Sequence, residues 1–285
     1  MREKFLSSVA YSFKETKVNW KGNEVFQFEK FKEEDPRNIL KYENQIYLGL
    51  TDERMIFLDD LELEDSKLDP DLIIFASRHA SKTERPAILI HTTGNWSDDN
   101  SFGGEKHDLS QTSALLHRAG FLSLLNQSKL QNLSDFVVDI EVTHHGPTLL
   151  KKPLVYIELG SSKKEWAHQL AAKVVSNSII DAIFSYLENL KAKDIKVGLG
   201  FGGTHYAPNF NRLIQNKKVA LSFICPKYYV QNLDKSLISL MMRNTLEEID
   251  FFIVDWKGTN SDDKKHLLPL LEDFNIPIKK IKEIS

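Results

Sequence analysis

From Leu72 onward the chain alternates short, largely apolar runs with longer stretches of helical spacing, and that alternation restricts the fold more than any other feature. Leu72–Ala76, Ala87–Ile90, Phe136–Val142, Leu154–Leu159, Ile195–Leu199, Val219–Ile224 and Phe251–Val254 read as strands, with a last one near Ile276–Ile281. Between them, Ser110–Ser128 places Ala114, Leu115, Leu122 and Leu125 near helical spacing. Ser162 followed by Glu165 forms a capping-box pattern that opens a long helix, and Ser236–Met242 reads as another. Apolar strands without polar alternation are buried on both faces. The pattern therefore predicts an α/β fold, a mixed, largely parallel sheet with helices on both faces.

The first 70 residues read differently. Phe5–Phe13 is expected as an opening strand, and Glu15–Leu68 is charged and patchy. One hairpin is expected there: Gln45–Leu50, a turn at Thr51-Asp52-Glu53, then Met55–Leu58. We expect a single α/β domain over 1–285, with a hairpin-containing insertion or side layer at about 15–70. The formal net charge is −3, so any RNA contact must use a local patch. Lys151-Lys152, Lys163-Lys164 and Lys217-Lys218 are surface charges that become such a patch only by flanking the loops described next. Lone Cys225 sits in an apolar run and reads as a buried thiol, which fits a reducing compartment. No apolar run approaches the ~20 residues of a spanning helix, and Met1–Ala10 lacks a signal peptide's apolar centre. The expected location is cytoplasmic, with no membrane partner.

Unusual loops follow several of these strands: His91-Thr92-Thr93-Gly94-Asn95-Trp96, Thr143-His144-His145-Gly146-Pro147-Thr148, Glu158-Leu159-Gly160-Ser161-Ser162 and Gly200-Phe201-Gly202-Gly203-Thr204-His205-Tyr206. A further segment, Phe102-Gly103-Gly104-Glu105-Lys106-His107, lies in the long loop after the first. In open α/β sheets ligands bind outside the carboxyl ends of the strands. If the strands are parallel, His91, His144 or His145, Glu158 and His205 converge on one rim, suited to metal binding or general acid–base work. Strand pleating puts Val142 and His144 on one face and Glu141, Thr143 and His145 on the other, unless the strand ends early; Gly146-Pro147 allows that, so both histidines stay candidates. Gly94, Gly103, Gly104, Gly202 and Gly203 let a substrate lie against main-chain N–H groups, with Thr93, Asn95, Thr204 and Tyr206 beside them. The start of the Ser162 helix offers a second anion site.

Bland readings apply elsewhere. His79, His117, His168 and His266 read as structural or merely exposed, and His107 as intermediate. The glycine spacing is not the dinucleotide fingerprint, and a Walker loop, a Gly-x-Ser-x-Gly elbow and a His-Glu-x-x-His helix are absent from the sequence. Any metal site must therefore be assembled from separate loops.

These stretches, with Ile157-Glu158-Leu159-Gly160-Ser161, Glu165-Trp166 and Thr204-His205-Tyr206-Ala207-Pro208, resemble the archaeal and plant type of D-aminoacyl-tRNA deacylase, in the family's order and across most of the chain from Leu72. The resemblance implies a cytoplasmic hydrolase that frees D-amino acids from tRNA in translation quality control. It also implies zinc and a core like that of the peptidyl-tRNA hydrolases, within the wider phosphorylase/hydrolase-like architecture. Its partner would be D-aminoacyl-tRNA rather than DNA, and a monomer is expected. Our own metal and catalytic candidates are His91, His144, His145, Glu158 and His205. A histidine, or zinc held by histidines and Glu158, would activate water, with main-chain N–H groups near Gly94 or Gly202-Gly203 holding the oxyanion. The rivals are a phosphorylase or hydrolase of small nucleosides or peptides, and a tRNA-binding or metal-storage module without turnover.

Overall fold

In the computed structural model, which describes residues 1–32, 35, 37 and 45–284, the chain opens with a short helix, α1 (Arg2–Leu6), not a strand. Phe5 buries against the long helix that comes later, whereas the first strand, β1 (Tyr11–Trp20), begins where Phe31 becomes available to pair with Tyr11. β1 turns through Lys21-Gly22 into β2 (Asn23–Phe31), and β3 (Tyr47–Leu48) adds to β2. The hairpin expected over Gln45–Leu58 does not form. Met55–Phe57 is a 3-10 turn that delivers Leu58 to an apolar cluster with Phe75 and Tyr156, so burial there outweighs pairing. The rest of the 33–44 segment lies outside the described residues.

Two four-stranded sheets form the body. The first comprises β4 (Ile73–Arg78), β5 (Ala87–His91), β8 (Val137–Ile140) and β9 (Leu154–Gly160), in the order β4-β9-β5-β8. A two-stranded ribbon, β6 (Gly94–Asn95) and β7 (Asp108–Leu109), precedes helix α2 (Ala114–Leu130). The second sheet is parallel throughout, ordered β11-β10-β12-β13: β10 (Lys196–Phe201), β11 (Val219–Cys225), β12 (Phe251–Val254) and β13 (Ile278–Lys280). Its helices are α5 (Pro208–Asn216), α6 (Lys235–Arg243) and α7 (Ser261–Glu272); sequence periodicity pointed only to α6.

The single helix expected from Ser162 is two. Ser162 and Glu165 make the capping box of α3 (Lys163–Trp166), and His168 then accepts from the Ala171 N–H to start α4 (Gln169–Asn189). α4 is long and apolar enough to cross a membrane by length and composition, but 61% of that window is buried inside the fold. It packs on α2 and, through Phe184, on Phe28 and Phe31 of the N-terminal sheet.

Pleating decides what each sheet face carries. In β5, Ile88 and Ile90 join the core with α2 and α4. In β9, Val155, Ile157 and Leu159 do the same, leaving Tyr156 and Glu158 on the opposite face. Phe251 and Ile253 of β12 turn to that same core, while Phe252 and Val254 pack with α6 and α7. Together the two sheets are mixed and largely parallel as expected, and the antiparallel pairing falls in the first: β9 is parallel to β4 but antiparallel to β5. Glu158 therefore does not arrive from a shared carboxyl rim. It pairs across from Leu89 and reaches His91 along the sheet face.

Candidate active site

His91 ends β5 with its ring fully buried and stacked on Tyr156, centroids 5.2 Å apart. Its Nδ1 lies 3.1 Å from the Thr92 carbonyl, an acceptor only, so Nδ1–H donates and Nε2 is left free. The same arrangement recurs at His144, whose Nδ1–H donates to the Val142 carbonyl at 2.8 Å, and at His145, which donates to the Gly146 carbonyl at 2.7 Å. Strand β8 ends at Ile140 and His145 adopts a left-handed backbone, φ 44°, so the alternation of the pleat stops before the histidine pair. Both rings then turn inward. Ring centroids are 4.3 Å apart for His91 and His144, 4.8 Å for His91 and His145, and 4.9 Å for His144 and His205.

Beneath these rings lie two carboxylates. Glu158 is buried and accepts from His79 Nδ1 at 3.2 Å, with His91 Nε2 3.8 Å away. Glu141, whose side chain has no exposed surface, meets His205 Nε2 at 2.9 Å through Oε1 and His79 Nδ1 at 3.7 Å through Oε2. His205 is anchored on its other side, Nδ1 lying 3.1 Å from the Tyr228 hydroxyl.

Electrostatics follows from this layering. Burial penalises the charged form of Glu158, yet His79 and His91 outweigh it and hold the carboxyl well below its ordinary range. Burial also opposes charge on His79 and His91, but Glu158 and Glu141 hold both above the ordinary histidine value. His144 and His145 hydrogen-bond to backbone carbonyls rather than to a carboxylate, and the pull of Glu158 and Glu141 on His145 does not offset its burial. Burial and the neighbouring imidazoles push His144 far down and His145 to about 4, so both are neutral at pH 7.

The donor set suits a cation. The groups His91/His144/His145, Glu141/His144/His205 and His79/Glu141/Glu158 each bring their ligand atoms within 4.8 Å of one another. Among the described residues, His79 Nε2, His91 Nε2 and Glu141 Oε2 are buried without a hydrogen-bond partner. Neutral imidazoles oriented by an Nδ1–H bond to a carbonyl are the form that binds metal. These groups could hold a metal ion.

The structure brings together all five candidates, His91, His144, His145, Glu158 and His205, and adds three residues that the sequence reading passed over. His79 was read as structural although it follows β4 in the way His91 follows β5. Glu141 carried a signal, because a carboxylate in a buried strand needs a partner. Tyr228 carried none. The other bland readings match what these side chains touch: His117 donates from Nδ1 to the Leu221 carbonyl, His168 caps α4 and His266 meets the Leu233 carbonyl. His107 is half-exposed near Asp98.

The glycine loops brace the site with their backbone and line it with side chains such as Asn95, His145 and His205. The Gly94 N–H donates to the His145 carbonyl at 2.8 Å, Gly202 N–H to Cys225 at 2.8 Å and Gly203 N–H to Gly258 at 3.2 Å. These three amides are spent on the fold, so an oxyanion role near Gly202-Gly203 would fall to neighbouring amides. Thr93 bonds Ser110 and Pro147, and Asn95 Nδ2 bonds the Gly103 and Glu105 carbonyls, bracing the loops. Gly103 and Gly104 take positive φ where their backbone passes Ile56 and Thr148. Thr204 is exposed, and Tyr206 is half-buried under the Arg85 guanidinium. The amides of Thr204, His205 and Tyr206 have no acceptor among the described residues. The second anion site expected at the Ser162 helix is filled by the chain itself: Glu165 accepts from the Ser162 N–H and hydroxyl. Lys152 and Lys218 pair with Asp69 and Asp194, and Lys217-Lys218 precede β11, at the opposite end from Cys225.

An open cleft of about 1810 Å³ reaches this cluster, with His144, His145, Glu158, His205 and Tyr228 in its wall. A mixed α/β sheet with a buried histidine–carboxylate cluster at the floor of a cleft is the framework of a hydrolase using acid–base or metal-assisted chemistry. Known proteins narrow that class. The model of the family described as D-aminoacyl-tRNA deacylase matches residues 66–279. D-aminoacyl-tRNA deacylases of Thermococcus kodakarensis and Pyrococcus abyssi are 32% and 33% identical, over 97% and 93% of this chain and 93% and 90% of theirs. That of Methanocaldococcus jannaschii is 32% identical over 81% of this chain and 89% of its own. A crystal structure of a conserved protein of unknown function superposes with a TM-score of 0.79 at 28% identity, covering 99% of this chain and 90% of that one. The chain belongs to the D-aminoacyl-tRNA deacylase family.

Proposed function

We propose that this chain hydrolyses the ester joining a D-amino acid to the 3′ end of tRNA, releasing free D-amino acid and tRNA, and that the reaction takes place at the His–Glu cluster. The observation that carries this reading is the convergence of His91, His144, His145, His205, Glu141 and Glu158 at the floor of an open cleft, in a chain of this family. The charged tRNA would be met in the cytoplasm, where mischarged tRNA arises.

His205 stands at the mouth of the cluster, half-exposed; with Nε2 on Glu141, its Nδ1 is the nitrogen placed to take a proton from the attacking water, passed through the Tyr228 hydroxyl. Glu141 orients its imidazole and offsets the charge that this transfer creates. The unpaired amides of Thr204, His205 and Tyr206 are the main-chain donors nearest His205 for the developing oxyanion. Pocket shape selects the enantiomer, because an L-amino acid would clash or misplace its carbonyl. Zinc fits the neutral, oriented nitrogens and unpartnered atoms, and would be held by His91, His144 and His145 or by Glu141, His144 and His205. Bound there, it supplies Lewis acidity toward the ester carbonyl and toward water.

The test is release of amino acid from D-tyrosyl-tRNA and L-tyrosyl-tRNA, with and without a chelator, for the native chain and for His144→Ala, His145→Ala and His205→Ala. Selective loss of the D-ester, slowed in each variant, is expected. Unchanged rates in all three variants would remove the cluster from the mechanism. Turnover of small nucleosides or peptides in place of the ester, or tRNA binding with the ester left intact, would favour the rival readings.

A further inference from the structure

Tyr228 is half-exposed in the wall of the cleft, in a molecule that buries most of its aromatic side chains. It sits on the 3-10 turn Lys227–Asn232, just past the carboxyl end of β11. Two contacts fix it. Its hydroxyl lies 3.1 Å from His205 Nδ1, so the ring stands one hydrogen bond from the cluster. The Lys227 N–H donates to the Gly203 carbonyl at 3.0 Å, which ties the turn to the glycine loop that carries His205. Behind the ring, Tyr229 packs edge-on with centroids 4.9 Å apart and restricts its tilt. Tyr228 keeps about half of its surface exposed, 51%, where it lines the cleft, and its neighbour in sequence, Lys227, is exposed as well.

We propose that this ring is the platform on which the base of the tRNA's terminal nucleotide stacks, with the Tyr228 hydroxyl keyed to His205. The inference rests on the deacylase reading and names the subsite that holds the end of the substrate. The ester to be cut is borne by the ribose of that nucleotide. A base stacked on Tyr228 would bring its ribose, and the ester it bears, beside His205 on the cleft side. Stacking suits this chain for a second reason. With a net charge of −3 the chain carries no excess of basic residues, so purchase on a single-stranded end must use a local contact, and an aromatic face is one that needs no charge. Every base offers a π-face, and this mode of binding therefore accepts the common 3′ end of all tRNAs without reading the anticodon or the stem. The hydroxyl, meanwhile, holds the Nδ1 side of His205 while Glu141 holds Nε2, so base binding and imidazole orientation share one side chain.

The test compares Tyr228→Phe, which keeps the ring, with Tyr228→Leu, which removes it. Affinity is measured for uncharged tRNA ending in CCA and for the same tRNA trimmed of its terminal adenosine, alongside kcat and KM on D-tyrosyl-tRNA, with circular dichroism to confirm folding. The native chain and Tyr228→Phe should both bind the intact end more tightly than the trimmed one, by about tenfold or more. Tyr228→Leu should lose that difference and raise KM by about tenfold to a hundredfold. Tyr228→Phe should lower kcat with KM little changed, the split that separates the hydroxyl from the ring. A Tyr228→Leu variant that still prefers the intact end as the native chain does would overturn the inference while leaving the deacylase reading in place. A native chain that neither cleaves the D-ester nor distinguishes the two tRNAs would overturn both.

Discussion

Glu141 joins two histidines of the site from below. Its carboxylate faces His205 at 2.9 Å and His79 at 3.7 Å with no solvent to share the charge. Exchange of one oxygen for an amide in Glu141→Gln keeps the volume but removes the anion that offsets a protonated His205. A fall in kcat of roughly a hundredfold or more is expected, with KM changed far less, as read from initial rates on D-tyrosyl-tRNA. Retention of native kcat would show that His205 works without it. A different kind of residue-scale constraint acts at Gly103, where φ is 84° and an added Cβ would stand 1.7 Å from the Ile56 carbonyl oxygen. Gly103→Ala must move the loop off the 55–56 segment, and a loss of about 1–3 kcal/mol is expected in the urea midpoint. An unchanged midpoint would mean that the loop shifts freely. The sequence singled this glycine out for lying beside a substrate, and the structure adds a second constraint on it. It allows two stretches of chain to cross closely, a contact between positions far apart in sequence.

At the scale of elements, one latch holds the His205 loop to the first sheet. Asn211, buried in α5, accepts from the Ile140 N–H at 3.0 Å and donates to Asp139 at 2.8 Å and to the Tyr206 carbonyl at 3.0 Å. Asn211→Ala would leave a buried strand N–H unpaired, which costs about 1–3 kcal/mol. It would also free the loop that sets the distance from His205 to Glu141. The expected outcome is a lower denaturant midpoint together with reduced kcat, and full activity in the folded variant would show that the loop holds itself. Most strands and helix α2 were legible because their signals are local: apolar runs for β5, β9, β11 and β12, and helical spacing for α2. Ser113 caps α2, three residues past the start expected at Ser110, accepting from the Leu116 N–H at 3.1 Å, and Glu247 also accepts from the Ala114 and Leu115 N–H groups from more than 130 positions away, which no local pattern announces. The break between α3 and α4 escaped for the opposite reason, since no glycine or proline marks Trp166-Ala167-His168-Gln169 and it is the His168 cap that starts a new helix there.

For the whole molecule, the buried histidines tie stability to pH. His145 and His117 each have a folded value of about 4 against an ordinary value of 6.5, both through burial first. The unfolded chain therefore takes up protons near pH 6.5 that the folded chain refuses until about pH 4, and stability falls as pH drops through that window. His79 and His91, held above 6.5, are protonated in both states below it and add no slope there. Urea midpoints of the chelator-treated protein should fall steadily from pH 7 to pH 4, and a flat profile would rule this out. The sequence by itself determined the α/β class, the histidine-bearing loops and, through several long motifs in order, the family. These rest on local spacing and residue chemistry, which a chain carries before it folds. Tertiary structure alone decided that β9 runs against β5, so that Glu158 reaches His91 along a sheet face rather than from a rim. It also decided that His79 and Glu141 complete the cluster, that the glycine amides are spent on the fold, and that Tyr228 guards the cleft. Each of these depends on which distant segments pair and on what burial then demands of their polar groups, and spacing along the chain encodes neither.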